Sequence, residues 1–392
     1  MEVCFIFVVA FGTNVISGSQ TREKISFLAL VILLSTNITN IIMMHWRAMK
    51  YSMAYITPAV VAFSIWVADG LWSFTAVLFL FGVIPTLEWF TKGSTENLTD
   101  IEEEIAREDR AYDWVLYGLL PVQYALLVYF LFRMGDESLT TGAKIGMMSA
   151  LGMACGALGI NAAHELGHRN TRYEQWMSKL LLLTSLYLHF FIEHNRGHHK
   201  NVSTDEDPAS GRYGESVYAF YIRTVSGGWM SAWRLEAERL KRAGKGFWTW
   251  HNEMLCFQVV QLGLLAGIYV LFGLETLLWY VGSATIGFLL LETVNYIEHY
   301  GLRRKKVGER RYERTLPIHS WNSNHPLGRL ILLELSRHSD HHYAANRKYQ
   351  ILRHFENSPQ MPTGYPGMML LSLVPPLWFR VMHKQLEKYQ EH

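Results

Sequence analysis

AKIGMMSALGMACGALGINAAHELGH, residues 143–168, joins an apolar run of membrane-spanning length to a histidine motif. The apolar part, residues 143–163, approximates the ~20 residues that a helix needs to cross a bilayer. The motif H-E-x-x-H follows, in which two histidines one helical turn apart hold zinc in metalloproteases and the glutamate is the general base. The stretch therefore predicts a membrane helix with metal ligands at its end, and leaves open which chemistry they serve.

The composition also indicates a membrane protein. Of the 392 residues 50% are hydrophobic and only 18% are charged, whereas soluble proteins carry about 25% charged residues. The formal net charge of +2 argues against a nucleic-acid partner. Cys4, Cys155 and Cys256 are isolated, so the sequence lacks the C-x-x-C pairs of a rubredoxin or a cysteine zinc site.

Six apolar windows form three predicted hairpins. They are residues 52–69 with 71–90, residues 113–134 with 143–163, and residues 254–274 with 276–296. The turns within the hairpins lack Lys and Arg, whereas the connections on the other side are basic, so the positive-inside rule puts that other side in the cytoplasm. We expect an all-α polytopic membrane protein with about six transmembrane helices and a cytosolic helical cap.

The expected domain boundaries follow from these windows. Residues 1–48 are an N-terminal extension or an additional span, and residues 49–382 form the membrane domain. Its cap comprises residues 169–252 and 302–382, and residues 383–392 form a C-terminal tail.

Nine of the 17 histidines occur in four motifs at predicted span ends or in the cap. They are His164 and His168 in HELGH, His194, His198 and His199 in EHNRGHH, His299 in NYIEHYG, and His338, His341 and His342 in RHSDHH. Nine imidazoles exceed the coordination of one metal ion but fit two with open positions, which favours two irons that activate dioxygen over a single zinc. The isolated His189, His251, His319, His325 and His354 are interpreted as structural.

HELGH, EHNRGHH, NYIEHYGL and RHSDHH together resemble the motifs of the integral-membrane alkane 1-monooxygenases, within the membrane fatty acid desaturase/hydroxylase superfamily. STDEDPASGRYGESVY, HSWNSNH and PTGYPGMM fit the same family, and the resemblance covers roughly residues 51–382. It implies a six-span enzyme with a non-haem di-iron site whose ligands are the nine histidines. The implied reaction is terminal hydroxylation of medium- or long-chain n-alkanes with dioxygen and two electrons from a rubredoxin.

The resemblance also implies partners and a location. The electron donor is expected to be a separate rubredoxin chain, itself reduced by rubredoxin reductase, because this sequence carries no rubredoxin module. The protein is expected in the inner membrane of a bacterium, with the site toward the cytoplasm. The basic residues 303–314 are either ordinary charge at a membrane surface or a docking surface for an acidic rubredoxin.

Four carboxylates, Glu165, Glu193, Glu298 and Asp340, stand beside or near the histidines in sequence. Carboxylates around histidine ligands orient the rings and offset the charge of the metal ions, and we expect that role for these four. An alkane offers no polar group, so its orientation requires a narrow apolar tunnel between the spans.

Three alternatives stay open. A related membrane enzyme could hydroxylate alkylaromatics, or desaturate acyl chains. From another class, a histidine-rich metal transporter would place its ionisable residues near the middle of the bilayer, whereas these motifs lie at span ends and in the cap.

Overall fold

The molecule is built almost entirely from helices. A computed structural model describes residues 46–309 and 311–390, so the predicted N-terminal extension lies outside the described residues except for positions 46–48. The helices are α1 (Ile56–Val67), α2 (Gly70–Phe90), α3 (Asp100–Glu108), α4 (Arg110–Met134), α5 (Thr141–Gly167), α6 (Arg172–Leu183), α7 (residues 190–201), α8 (Val217–Arg242), α9 (Glu253–His299), α10 (Pro326–Ile331), α11 (His338–Tyr343), α12 (Tyr365–Ser372) and α13 (Pro375–Gln390). Short 3-10 turns occur at Lys50–Tyr55, Pro317–His319 and Tyr349–Ile351, and β1 (Lys306–Gly308) pairs antiparallel with β2 (Arg311–Tyr312).

Among residues 46–309 and 311–390, four helices are long and apolar enough to cross a membrane: α2, α4, α5 and α9. The expected all-α, multi-pass membrane architecture is confirmed. Helix α1 has only 12 residues and is lengthened by the turn that precedes it. The number of six crossings therefore stays a prediction.

Helix α9 reverses direction at Gly273. Its φ of 81° and ψ of 175° lie in a region that is essentially restricted to glycine. Just beyond this point Glu275 pairs with Lys144 at the start of α5, at 2.6 Å. At the other end Glu253 pairs with Lys179 of α6, also at 2.6 Å. The two halves of α9 are therefore antiparallel, at the position of the third predicted hairpin.

Small residues fix the contact between α5 and the second half of α9. A Cβ atom added at Gly156 would lie 2.7 Å from the carbonyl oxygen of Gly287, and one at Gly287 would lie 2.5 Å from Cβ of Cys155. Glycine at both positions lets the two backbones approach, as in other membrane helix pairs. This contact sets the register between HELGH at the end of α5 and His299 at the end of α9.

The segment HSWNSNH ties the cap to the end of α9. The backbone N–H of Trp321 donates to the carbonyl of Glu298 at 2.8 Å, and its indole Nε1 donates to the carbonyl of Tyr300 at 2.9 Å. These bonds satisfy carbonyls that a helix end leaves without intrahelical partners. Ser339 in α11 donates its backbone N–H to Asn322 Oδ1 at 2.8 Å, so the same segment holds RHSDHH beside NYIEHYG.

The C-terminal helix α13 crosses the predicted start of the tail at residue 383. Leu386 is fully buried in this helix and packs in a cluster with Trp321 and Trp378. Residues beyond 382 therefore contribute to the packing of the cap.

Candidate metal centre

The fold brings all nine predicted histidines together in two adjacent groups. The five-histidine group contains His164, His168, His194, His199 and His341, and the four-histidine group contains His198, His299, His338 and His342. One ring nitrogen of each residue lies within 4.8 Å of those of all other members of its group. Helices α5, α7, α9 and α11 meet here, and α7 and α11 contribute to both groups.

Local helix geometry divides the histidines between the groups. In α11, His338 and His342 are four residues apart and share one face, whereas His341 points to the other group. In α7 the turn His194–His198 is a π-helix, whose wider turn changes the angular spacing of successive side chains. His194 and His199 consequently enter the five-histidine group and His198 enters the four-histidine group.

The ring nitrogens face one another as ligands around a cation do. In the four-histidine group Nε2 of His342 lies 2.9 Å from Nε2 of His338 and 3.2 Å from Nε2 of His198. In the five-histidine group Nε2 of His194 lies 3.0 Å from Nε2 of both His168 and His199. Three or more imidazole nitrogens converging in this way cannot all be satisfied by a single shared proton, and a metal ion at each point would satisfy them together.

One unpartnered buried nitrogen, Nε2 of His164, supports the same fit. Within the described part of the chain, Nε2 of His164 and Nδ1 of His299, His338 and His342 are buried without a hydrogen-bond partner. A buried polar atom without a partner is costly, and metal ligation would remove that cost for His164 Nε2.

Burial keeps the imidazoles of α11 neutral. Burial, followed by the neighbouring histidines, lowers the pKa of His338, His341 and His342 well below the usual value. Neutral imidazole is the form that binds metals. Neutral rings do not repel a metal cation, whereas charged imidazolium rings would.

Asp207 is the carboxylate that orients a histidine, and the sequence reasoning missed it. Its Oδ2 lies 2.9 Å from Nδ1 of His198, and Ser210 donates to the same oxygen at 2.5 Å. Burial lowers the pKa of His198, but the nearby Asp207 outweighs this and raises it overall. Asp207 lies in STDEDPASGRYGESVY, a segment that fits the family resemblance, which was the available signal.

Among the contacts of the described residues, Glu298 is the one predicted carboxylate that reaches a predicted ligand histidine. Its Oε2 lies 3.2 Å from Nε2 of His338, and its Oε1 accepts the Tyr365 hydroxyl hydrogen bond at 2.7 Å. Because this nitrogen of His338 faces the other three rings, Glu298 lies on the side of the ring that points into the four-histidine group.

The other three predicted carboxylates have different surroundings. Glu165 pairs with Arg169 at 2.7 Å, and Asp340 pairs with Arg347 at 2.7 Å. Glu193 is buried, and among the residues described its Oε1 has no partner. The isolated histidines His189, His251, His319, His325 and His354 are absent from both groups found among the described residues.

An apolar cavity leads from the membrane-spanning helices to the histidines. The cavity has a volume of about 70 Å³. Its walls include Met153, Ala157 and Ile160 on one face of α5, and its inner end is lined by His164, His194 and His338. From position 153 to position 164 the helix rises about 16 Å, so the cavity follows α5 along much of its length.

Similarity to known protein families defines the class of this protein. A family model for the fatty acid desaturase family matches residues 143–372. These residues contain all nine histidines and the three elements that carry the cavity's inner end. The chain belongs to the fatty acid desaturase family.

Individual relatives define the branch of that family. The chain is 41% identical to alkane 1-monooxygenase 2 of Pseudomonas aeruginosa, over 81% of this chain and 85% of that protein. It is 38% identical to alkane 1-monooxygenase of Pseudomonas putida, over 82% of this chain and 81% of that protein. The hydroxylase component of xylene/toluene monooxygenase from Pseudomonas putida is 29% identical, over 69% of this chain and 73% of that protein. Within the desaturase family, the chain belongs with the alkane 1-monooxygenases.

Proposed function

We propose that this protein hydroxylates the terminal carbon of medium- and long-chain n-alkanes to 1-alkanols, using dioxygen and two electrons. The observation that carries the proposal is the apolar cavity, which ends at three histidines drawn from both groups. A chain without polar groups can be held only by apolar walls that fix its direction. The cavity would direct one end of an alkane toward the histidines and leave its remaining carbons between α5 and α9.

We propose that each histidine group holds one iron ion. Neutral imidazole is a ligand that iron accepts, and Asp207, whose Oδ2 lies 2.9 Å from Nδ1 of His198, supplies negative charge beside the nine rings. Metal ions held there would supply the redox chemistry that dioxygen activation requires, with the two electrons delivered by the external donor. The chain itself supplies orientation, because Asp207 holds the ring of His198 and Tyr365 holds the carboxyl group of Glu298.

Burial is the second contribution of the chain. The histidines of the four-histidine group are all buried, whereas His168 and His199 of the other group are partly exposed. Apolar walls exclude water from the reacting end of the substrate, which strengthens electrostatic interactions there and suppresses side reactions.

Electrons are proposed to come from a separate rubredoxin, reduced by rubredoxin reductase. The basic segment 303–314 lies in the cap, where Arg304 donates to the backbone carbonyl of Lys200 at 2.9 Å, next to His199. A positive surface near a partly exposed ligand suits an acidic electron-transfer protein. The same charge distribution supports a bacterial inner-membrane location with the histidines toward the cytoplasm.

A product assay tests the function. Purified protein in lipid nanodiscs receives an n-alkane series, NADH, rubredoxin and its reductase, with a His338→Ala variant as the control. The proposal predicts 1-alkanols from the wild-type protein and none from the variant. Products from xylene or from an acyl thioester, with none from alkanes, would transfer the assignment to an alkylaromatic hydroxylase or a desaturase.

A further inference from the structure

A second, polar cavity lies behind the histidines, on the side of α7 that faces α8 and α9. We call it the polar chamber, and its walls include Tyr187, Glu193, His198, Thr224, Glu292 and Asn295. Its volume of about 10 Å³ is at the lower limit for one water molecule. Phe190, His194 and Asn295 line both this chamber and the apolar cavity. The two spaces are therefore separated by only a few side chains.

Glu292 is an unusual residue for its position. It lies seven residues before His299 in the apolar helix α9 and is only 3% exposed. Ionisable side chains within membrane helices are costly and are usually retained for a functional reason. Glu292 pairs with no cation in the described part of the chain, so charge neutralisation by an ion pair does not account for it.

Three donors surround the carboxyl group of Glu292. The hydroxyl groups of Tyr187 and Thr224 each donate at 2.8 Å, and Nδ2 of Asn295 donates at 3.1 Å. Of these four groups, only the carboxyl readily takes up and releases protons near neutral pH. Asn295 connects it to the wall of the apolar cavity.

An independent observation, an unpartnered carboxyl oxygen, favours a hydrogen-bond donor in the chamber. Glu193 is 5% exposed and lines the chamber, and its Oε1 has no hydrogen-bond partner among residues 46–309 and 311–390. A buried carboxyl oxygen without a partner is costly, and a water molecule in a polar cavity is its usual remedy.

We propose that the polar chamber binds water and that Glu292 passes protons from it toward the histidine site. The inference rests on the monooxygenase activity proposed above. Hydroxylation requires R–H + O₂ + 2 e⁻ + 2 H⁺ → R–OH + H₂O. The O–O bond and one C–H bond break, one C–O bond forms, and the two electrons come from rubredoxin. The two protons must reach a buried site whose substrate side is apolar.

Among the described contacts, Glu292 touches neither the apolar cavity nor a ligand histidine. It is therefore a positioning residue, which holds a proton and passes it on through Asn295 and water. The arrangement separates two requirements. The alkane occupies the apolar cavity on one side of His194, and protons are transferred through the polar chamber on the other side.

The test compares Glu292→Gln with Glu88→Gln, a matched substitution at another buried glutamate that lies outside the chamber. Both variants are prepared in nanodiscs. The bound iron and the unfolding temperature of each are measured. The proposal predicts that E292Q retains the iron content of wild type but forms alkanol about 100-fold more slowly, as for loss of a general acid–base group. Its remaining turnover should show a larger ratio of rates in H₂O and D₂O than wild type or E88Q.

Infrared spectroscopy of the metal-free proteins provides a readout that does not depend on activity. The difference spectrum between wild type and E292Q should show the loss of a carboxylic acid band that shifts on transfer to D₂O, at a frequency that the difference spectrum between wild type and E88Q lacks. An unchanged rate in E292Q, an isotope ratio equal to that of E88Q, or an infrared spectrum identical to that of wild type would each overturn the relay. If wild type itself makes no alkanol, the proposed function fails, while the infrared comparison still decides whether Glu292 exchanges a proton.

Discussion

Oδ2 of Asp207 lies 2.9 Å from Nδ1 of His198, and both side chains are completely or almost completely buried. His198 therefore presents its Nε2 to the four-histidine group while its other nitrogen is held by a carboxylate. This pairing fixes the tautomer and the ring orientation of a metal ligand. It also places one negative charge beside a group that consists otherwise of neutral rings.

Replacing Asp207 by asparagine should weaken metal binding in the four-histidine group. The loss of the charge and of the directed hydrogen bond is expected to lower metal affinity about 10–100-fold, as for other partners of histidine ligands. Titration of iron into metal-free protein measures the effect. Asp205→Asn is the matched control, because the side chain of Asp205 is 79% exposed and two residues away; equal affinities for the two variants would contradict the role of Asp207.

Replacing Tyr365 by phenylalanine should reduce activity through Glu298. The Tyr365 hydroxyl donates to Glu298 Oε1 at 2.7 Å, and the other oxygen of Glu298 lies beside His338. A buried hydrogen bond contributes about 0.5–1.5 kcal/mol, so alkanol formation should fall roughly 2–10-fold. Tyr218→Phe, which removes a hydroxyl bonded to the carbonyl of Leu373, should leave the rate unchanged. A comparable loss in both variants would show that Glu298 does not depend on this bond.

A methyl group at Gly364 should destabilise the cap. A Cβ atom there would overlap Oε2 of Glu88, a carboxyl group that is 1% exposed and accepts the backbone N–H of Gly328 at 3.0 Å. Gly364→Ala is expected to lower the free energy of unfolding by about 1–3 kcal/mol, as for other overpacked sites. Gly263→Ala, where nothing lies within 4 Å of the added Cβ, should instead be neutral or stabilise the helix by about 0.5–1 kcal/mol. Thermal unfolding in detergent compares the two, and a Tm for G364A at or above that of G263A would refute the packing argument.

A larger side chain at Met153 should change the preferred alkane length. Met153 lines the cavity about 16 Å along α5 from His164. Met153→Trp would shorten the space for the distal end of the substrate, so the rate with hexadecane should fall more than the rate with octane. Ile145→Trp, on the same helix at a 39% exposed position, serves as the control. Product analysis with the two alkanes measures the ratio, and an unchanged ratio in M153W would place the alkane elsewhere.

Much of the fold could be predicted because a bilayer constrains helices strongly. The hairpin that ends in HELGH could be predicted from the length of its apolar segments. The reversal in α9 could be predicted from two apolar segments with almost no loop between them, around Glu275. The conformation of Gly273, which produces the reversal, was not specified by the pattern. Helix α1, at 12 residues, is also shorter than the 18-residue window in the sequence, because a 3-10 turn, Lys50–Tyr55, occupies the start of that window.

The histidines could be predicted as a set, but their division between two groups could not. Spacing alone gives His194, His198 and His199 as neighbours, and the division depends on a π-turn at His194–His198. The pairing of Asp207 with His198 depends on the chain folding back after α7. The pattern of apolar and polar residues in the sequence does not predict such a reversal. Proximity in sequence favoured Glu165 and Asp340 instead, and arginines nearby satisfy both carboxylates.

The most direct test of the account is the iron content of purified protein, measured together with the product it forms from an n-alkane. We expect about two irons per chain and a 1-alkanol, with iron and product both lost in His338→Ala and both retained in His354→Ala, a histidine outside the two groups. One zinc per chain with no iron, or full alkanol formation by His338→Ala, would contradict it.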